Sequence, residues 1–171
     1  MKKLPLLLLL ILVGALGTVA LALLYNLPFD GRDRSPQQPL SFSHKTHAGD
    51  HAIDCRYCHR LAGVSTTAGI PDLETCRSCH LFIAKDHPEV KTLLNYWDRK
   101  EPIPWVRVYQ LPDHVYFPHR MHLRAGVECR SCHGEVAAME RISREASLKM
   151  GWCLDCHRQY RASIDCWTCH I

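Results

Sequence analysis

At 171 residues the chain amounts to one or two small domains, and a formal charge of +4 with no nucleic-acid-binding motif gives no basis for a nucleic-acid partner. Ten cysteines are the unusual number. A chain this short cannot draw all its stability from a side-chain core, so the cysteines direct attention to covalent or metal-linked groups.

Lys2 and Lys3 precede an uncharged run from Leu4 to Leu24, close to the roughly 20 residues a helix needs to cross a bilayer. A cleaved signal peptide is the competing reading, with Ala20-Leu21-Ala22 as the cleavage site, but its apolar region usually spans about 7 to 15 residues and this run is longer. The sequence therefore predicts a transmembrane anchor over 1–25. By the positive-inside rule its N-terminus is cytoplasmic, and everything after Tyr25 lies on the periplasmic, outer face of the cytoplasmic (inner) membrane. Residues 26–40, with Pro28, Gly31, Pro36 and Pro39, read as an extended linker.

Phe42-Ser-His44-Lys-Thr-His47 follows, then Cys55-Arg-Tyr-Cys58-His59 and Cys76-Arg-Ser-Cys79-His80. The C-x-x-C-H pattern recurs as Cys129/Cys132/His133, Cys153/Cys156/His157 and Cys166/Cys169/His170, and the five copies use every cysteine. Each cysteine of such a motif adds to one vinyl group of a haem, and the histidine after the second is delivered to the iron as its proximal ligand. Disulfides would explain an even cysteine count but not that histidine. Zinc sites use paired C-x-x-C or Cys/His sets and need no fixed Cys-His dipeptide. The sequence predicts five covalent haem c groups, about one per 28 residues beyond the anchor, so porphyrin supplies much of the buried apolar surface. With ferric haem and two propionates at roughly −1 each, the oxidised protein carries about −1 in total, and the polypeptide charge is a poor guide to its electrostatics.

From His87 to Trp97, Pro88 sits near the first helical position and Val90, Leu93, Leu94 and Trp97 recur at helical spacing, the pattern of a packing helix. Glu101 to Tyr116 interleaves Pro102, Pro104 and Pro112 with Trp105, Val106, Val108, Tyr109 and Leu111, an extended segment with at most one short edge strand. Phe117-Pro-His119-Arg-Met-His122 then repeats the earlier element. Histidines three apart on a helix share a face. A solvated face is their ordinary role, but five irons need distal ligands, so His44, His47, His119 and His122 are read as four of them. The repeat divides the domain into a two-haem unit over 41–100 and a three-haem unit over 101–171.

The fifth distal ligand is sought among His51, His87, His114, Met139 and Met150, since imidazole and thioether both serve haem iron. Met139, between two motifs on an expected helix, is preferred; Met150, almost at an attachment site, is the alternative. Core packing is the competing role for either methionine. A His/Met haem would have the higher potential and act as an electron exit or sink. The expected fold is mostly α and irregular with little strand: short helices wrapped around five haems behind an N-terminal transmembrane helix.

The F-x-H-x-x-H elements ahead of C-x-x-C-H motifs resemble the class III and triple-haem cytochromes c, in which those histidines are distal ligands. Glu101 to His119, Gly126 to Val136 and Ser147-Leu-Lys-Met-Gly-Trp-Cys153 resemble the pentahaem cytochrome subunit of alternative complex III, a bacterial quinol-oxidising complex unrelated to cytochrome bc1. This resemblance implies a non-catalytic electron wire in a respiratory or photosynthetic chain. Its implied partners are integral-membrane quinol-oxidising subunits, an iron–sulfur subunit and a monohaem cytochrome, with a soluble cytochrome, a copper protein or an oxidase as acceptor. The same module resembles the multihaem subunit of a quinone-reducing complex running in the opposite direction, which usually carries six haem motifs. Two further functions compete. A free-standing quinol dehydrogenase would need a quinone pocket beside the anchor, where 26–34 offers only Asp30, Arg32, Asp33 and Arg34. A multihaem reductase would need an open iron position, which the surplus of candidate ligands opposes.

Overall fold

The computed structural model describes the backbone of residues 3–26 and 35–170, with side chains of the first helix given for 8–23. The chain divides into two units, Met1–Gly31 and Arg32–Ile171. In the first, α1 runs Lys3–Asn26. Among the described residues no helix is long and apolar enough to cross a membrane. This corrects the single-pass anchor expected over 1–25, and with it the orientation and the periplasmic placement. Most of the expected 26–40 linker, residues 27–34, lies outside the described residues.

The second unit is helical and irregular, and among its described residues there is no strand beyond one bridge between Val115 and His170. Its elements are a π-helix Lys45–Asp50, α2 Cys55–Cys58, α3 Leu73–His80, α4 Pro88–Asp98, α5 His119–Arg124, α6 Arg130–His133, a 3-10 turn Val136–Ala138, α7 Met150–Gln159 and α8 Cys166–Cys169. Sequence chemistry sets their ends. Asp54 accepts from Arg56 N at 2.7 Å to cap α2, and Asp72 accepts from Thr75 N at 2.8 Å to cap α3. In α4, Pro88 occupies the first turn, where its missing N–H costs nothing, and Nδ1 of His87 accepts from Glu89 N at 3.2 Å.

Helix α4 buries Val90 and Leu93, and Trp97 receives the guanidinium of Arg77 from α3 at 4.5 Å. The segment 101–116 is extended without being a strand, as its prolines require. Gln38 clamps it through both ends of its amide, with Val106 N and Val106 O each at 2.9 Å. The polypeptide's buried apolar side chains are few: Leu40, Ala62, Val90, Leu93, Val108 and Ala146 among the described residues.

The π-helix is backed by the 3-10 turn, where Lys45 N donates to Met139 O at 2.9 Å. The approach is so close that a Cβ on Gly49 would collide with the Ala137 carbonyl oxygen. Gly49→Ala is therefore expected to lower stability by about 1–3 kcal/mol, the range for overpacking. Gly63→Ala, which enters open space, should leave it within about 0.5 kcal/mol. Thermal melts of the two variants check both.

Candidate functional site

Each C-x-x-C-H motif sits on one turn of helix. The i, i+3 cysteines and the i+4 histidine then project from one face, and the histidine closes the turn. His59 N donates to Cys55 O at 2.9 Å, His133 N to Cys129 O at 3.0 Å and His170 N to Cys166 O at 2.9 Å. None of the ten cysteines is in a disulfide. Among the described residues no three of His, Cys, Asp or Glu converge as a metal cluster. That opposes a structural zinc site, which needs four protein ligands.

The histidine rings are pinned by the backbone. Nδ1 donates to Gly69 O from His59 (2.7 Å), to Ile83 O from His80 (3.1 Å), to Ser163 O from His157 (2.5 Å) and to His114 O from His170 (3.3 Å). The distal candidates behave alike: His47 donates to Ser43 O at 2.8 Å, His122 to Pro118 O at 3.1 Å and His119 to Thr66 O at 2.9 Å. A ring whose Nδ1 proton is held by a carbonyl presents an unprotonated Nε2, which is the metal-binding tautomer. His87 shows the opposite arrangement, with Nδ1 accepting from Glu89 N, so it is the N-cap of α4.

The two F-x-H-x-x-H elements fold on different helices, π and α, yet build the same ring cluster. Phe42 meets His44 edge-on at 4.9 Å and lies against His47 at 4.4 Å; Phe117 meets His119 edge-on at 4.9 Å and lies against His122 at 4.3 Å. From there the histidines face motif histidines at a longer spacing. His47 lies 6.0 Å from His80, His119 6.4 Å from His133 and His122 6.1 Å from His157, centroid to centroid. Two imidazoles on opposite sides of one iron, at the ~2 Å metal–nitrogen distance usual for first-row metals, place their centroids about 6 Å apart. The rings are thus separated by the width of one metal ion.

His44 has His59 and His47 as electrostatic neighbours. Its Nδ1 is buried without a hydrogen-bond partner. Burial, then the neighbouring His59 and His47, lower its pKa to about 4. Burial, then His119 and His59, lower that of His133 to about 4. Both rings are neutral at physiological pH, as a ligand must be. Tyr109, a side chain not singled out from the sequence, packs on His133 at 4.4 Å and is held by Ser143 O and Glu145 N, each at 3.2 Å.

The thiols of different motifs are neighbours as well. Burial pushes each of those that follow upward, with other thiols adding to the effect: Cys79 on Cys58, Cys58 on Cys76, Cys55 on Cys129, Cys156 and Cys153 on Cys132, and Cys169 on Cys153. Cys55 is the thiol neighbour that acts on Cys129.

Met139 is not on a helix but follows the 3-10 turn with extended angles, φ −92° and ψ 119°. Its Sδ accepts from Ser143 Oγ at 3.8 Å, and its carbonyl holds the helix that carries His47. Met150 opens α7 and is 59% exposed, one turn before Cys153.

Paired thiols on single turns, Nε2-presenting rings and ring couples one ion apart fit covalent haem with two axial imidazoles. This fold and site define a multihaem cytochrome c that transfers electrons, with covalently bound haem c as its cofactor. Comparison with known proteins agrees: residues 115–171 match the family model of cytochrome c7 and related cytochrome c. The chain is also 27% identical over 161 residues, 78% of its own length and 77% of the relative's, to the multihaem cytochrome c subunit of menaquinone reductase from Nitratidesulfovibrio vulgaris.

Proposed function

We propose that the protein is a non-catalytic electron-relay subunit of a quinone-linked oxidoreductase complex, carrying five haem c groups on its five C-x-x-C-H motifs. The observation that carries this reading is the set of histidine couples spaced for one iron each. His59, His80, His133 and His157 are the proximal ligands, with His44, His47, His119 and His122 opposite them in that order. Each F-x-H-x-x-H element thereby serves two irons and holds them side by side. The bound haems supply reversible one-electron chemistry; the chain attaches them, fixes their axial rings and leaves no ligand position open for substrate.

His170 is the fifth proximal ligand, and Met150 is the better candidate opposite it. Met139 stands against the helix that already supplies His44 and His47. Met150 shares a face with Cys153, whose thiol neighbours Cys169. Methionine-to-ferric-iron ligation has its own near-infrared absorption band. We expect that band in the oxidised protein, its loss in Met150→Ala and its persistence in Met139→Ala, together with a fall in the highest haem potential in the Met150 variant alone.

The complex we favour is of the alternative complex III kind, with quinol-oxidising membrane subunits and an iron–sulfur subunit as partners. A second reading, a menaquinone reductase running the other way, is favoured by the name of the Nitratidesulfovibrio relative. Isolation of the native assembly in mild detergent tests the proposal. Recovery with iron–sulfur and quinone-reactive subunits, with haems that quinol reduces only within the assembly, supports it. A lone cytochrome reduced directly by quinol defeats it. Turnover separates the directions: quinol oxidation by an added acceptor in one case, menaquinone reduction by a reduced cytochrome in the other.

A further inference from the structure

We infer that the five attachment sites form one unbranched file in the order 2–1–3–4–5, numbered by motif along the chain. The sites at Cys76/Cys79 and Cys166/Cys169 are then its ends, and the site at Cys55/Cys58, first in the sequence, lies inside it. This rests on all five motifs being haem sites.

Each joint has its own contacts. Sites 2 and 1 meet where the thiols of Cys58, Cys76 and Cys79 are neighbours and where Arg60, just after motif 1, bonds Asp72 and Thr75 at the head of α3, each at 3.3 Å. The shared element 42–47 spans the same joint, with His44 facing site 1 and His47 facing site 2. Sites 1 and 3 meet through the proximity of Cys55 to Cys129 and of His59 to His133. The backbone reinforces this joint: His119 N and Arg120 N donate to Thr66 O and Ser65 O at 3.2 Å, so the distal helix of site 3 is hung on the loop that follows motif 1. Sites 3 and 4 meet where Cys132 neighbours Cys153 and Cys156, under the shared element 117–122. Sites 4 and 5 meet at Cys153 and Cys169. There the Ser163 carbonyl anchors His157 while the Ser163 hydroxyl bonds Thr168 Oγ1 inside motif 5 at 2.8 Å.

Chain length permits this order. Motifs 1 and 2 are joined by the short stretch 60–75, whereas 81–128 is long enough to return from motif 2 past motif 1 before motif 3 begins. An electron from a one-electron centre of a partner, an iron–sulfur cluster or a haem, reduces a ferric iron at one end. Each hop oxidises that iron back to ferric and reduces its neighbour, and a one-electron acceptor at the far end removes the electron. No bond or proton changes hands. Sites 2 and 5 are where partners exchange electrons, and the 1–3 joint is the single crossing between the two-haem and three-haem halves.

Nuclear Overhauser contacts between haem substituents in the fully reduced, diamagnetic full-length holoprotein test the order, with each haem assigned through its own thioether cysteines. Intact mass is recorded first. A mass with fewer than five haems overturns the reading on which the order rests. With five haems present, contacts 2/1, 1/3, 3/4 and 4/5 support the file. A 2/3 contact without a 1/3 contact, or any site with three neighbours, overturns the order while leaving the haem count standing.

Discussion

Expressed without haem attachment, the unit of residues 32–171 is expected to remain largely unfolded, with weak helical circular dichroism, no cooperative melt and rapid proteolysis. The described polypeptide buries only six apolar side chains, two of them alanines. Burial of a Val or Leu is worth about 1.5–3 kcal/mol, whereas ordering each residue costs about 1–2 kcal/mol. Large apolar side chains near the motifs stay exposed on the polypeptide alone, Tyr57 at 52%, Phe82 at 82% and Trp167 at 86%. Ion pairs do not close the gap, since those described are on exposed side chains and such pairs contribute roughly 0–1 kcal/mol each. A compact, cooperatively melting apo-protein would show that the side chains suffice, and would remove the physical basis for reading the motifs as the organising sites.

The second large effect concerns single axial ligands. His47→Ala is expected to leave one iron of the oxidised protein five-coordinate and high-spin, open to carbon monoxide when reduced and restored to low spin by added imidazole. Under the pairing proposed above, the iron that changes is the one between His47 and His80. His47 and His80 stand with ring planes 67° apart, His119 and His133 with planes 12° apart. Near-perpendicular axial rings leave two iron d orbitals almost degenerate and give a low-spin electron paramagnetic resonance signal with a large maximum g value; near-parallel rings give a rhombic signal. His47→Ala should therefore remove a large-g signal and keep the rhombic one, and His119→Ala should do the reverse. Loss of the same signal in both variants would defeat the pairing.

Much of the site was legible because covalent chemistry forces local spacing. Cysteines at i and i+3 with histidine at i+4 need only one helical turn, and all five turns form as expected. The repeat Phe42-Ser-His44-Lys-Thr-His47 and Phe117-Pro-His119-Arg-Met-His122 was visible for a similar reason: a phenylalanine two residues before the first histidine can brace both rings. The packing helix at 88–98 was legible from Pro88 and the apolar spacing. The carbonyls that set the tautomers, Gly69, Ile83, Ser163, His114 and Thr66 among them, left no trace, because a backbone oxygen belongs to every residue. Tyr109 was hidden within a proline-interrupted segment that looked merely extended.

The N-terminal expectation failed as structure. A count of apolar letters measures composition, whereas a span needs one helix both long and apolar enough, and no such helix is found among the described residues. Met139 follows a 3-10 turn instead of lying on the helix expected for it, and its carbonyl accepts from Lys45 N.

The sequence by itself determined the chemistry: ten cysteines in five motifs, the histidine after each and the two repeated histidine pairs, all features a few residues long that one turn of helix realises. Only the tertiary structure decided which rings and loops meet, because those contacts join residues far apart in the chain, as His119 and Thr66 are, 53 positions apart. Loop closure over such distances costs only slowly rising entropy, so sequence separation carries almost no information about spatial order. Thr66 O and Ser65 O accept from His119 N and Arg120 N, which ties the loop after motif 1 to α5.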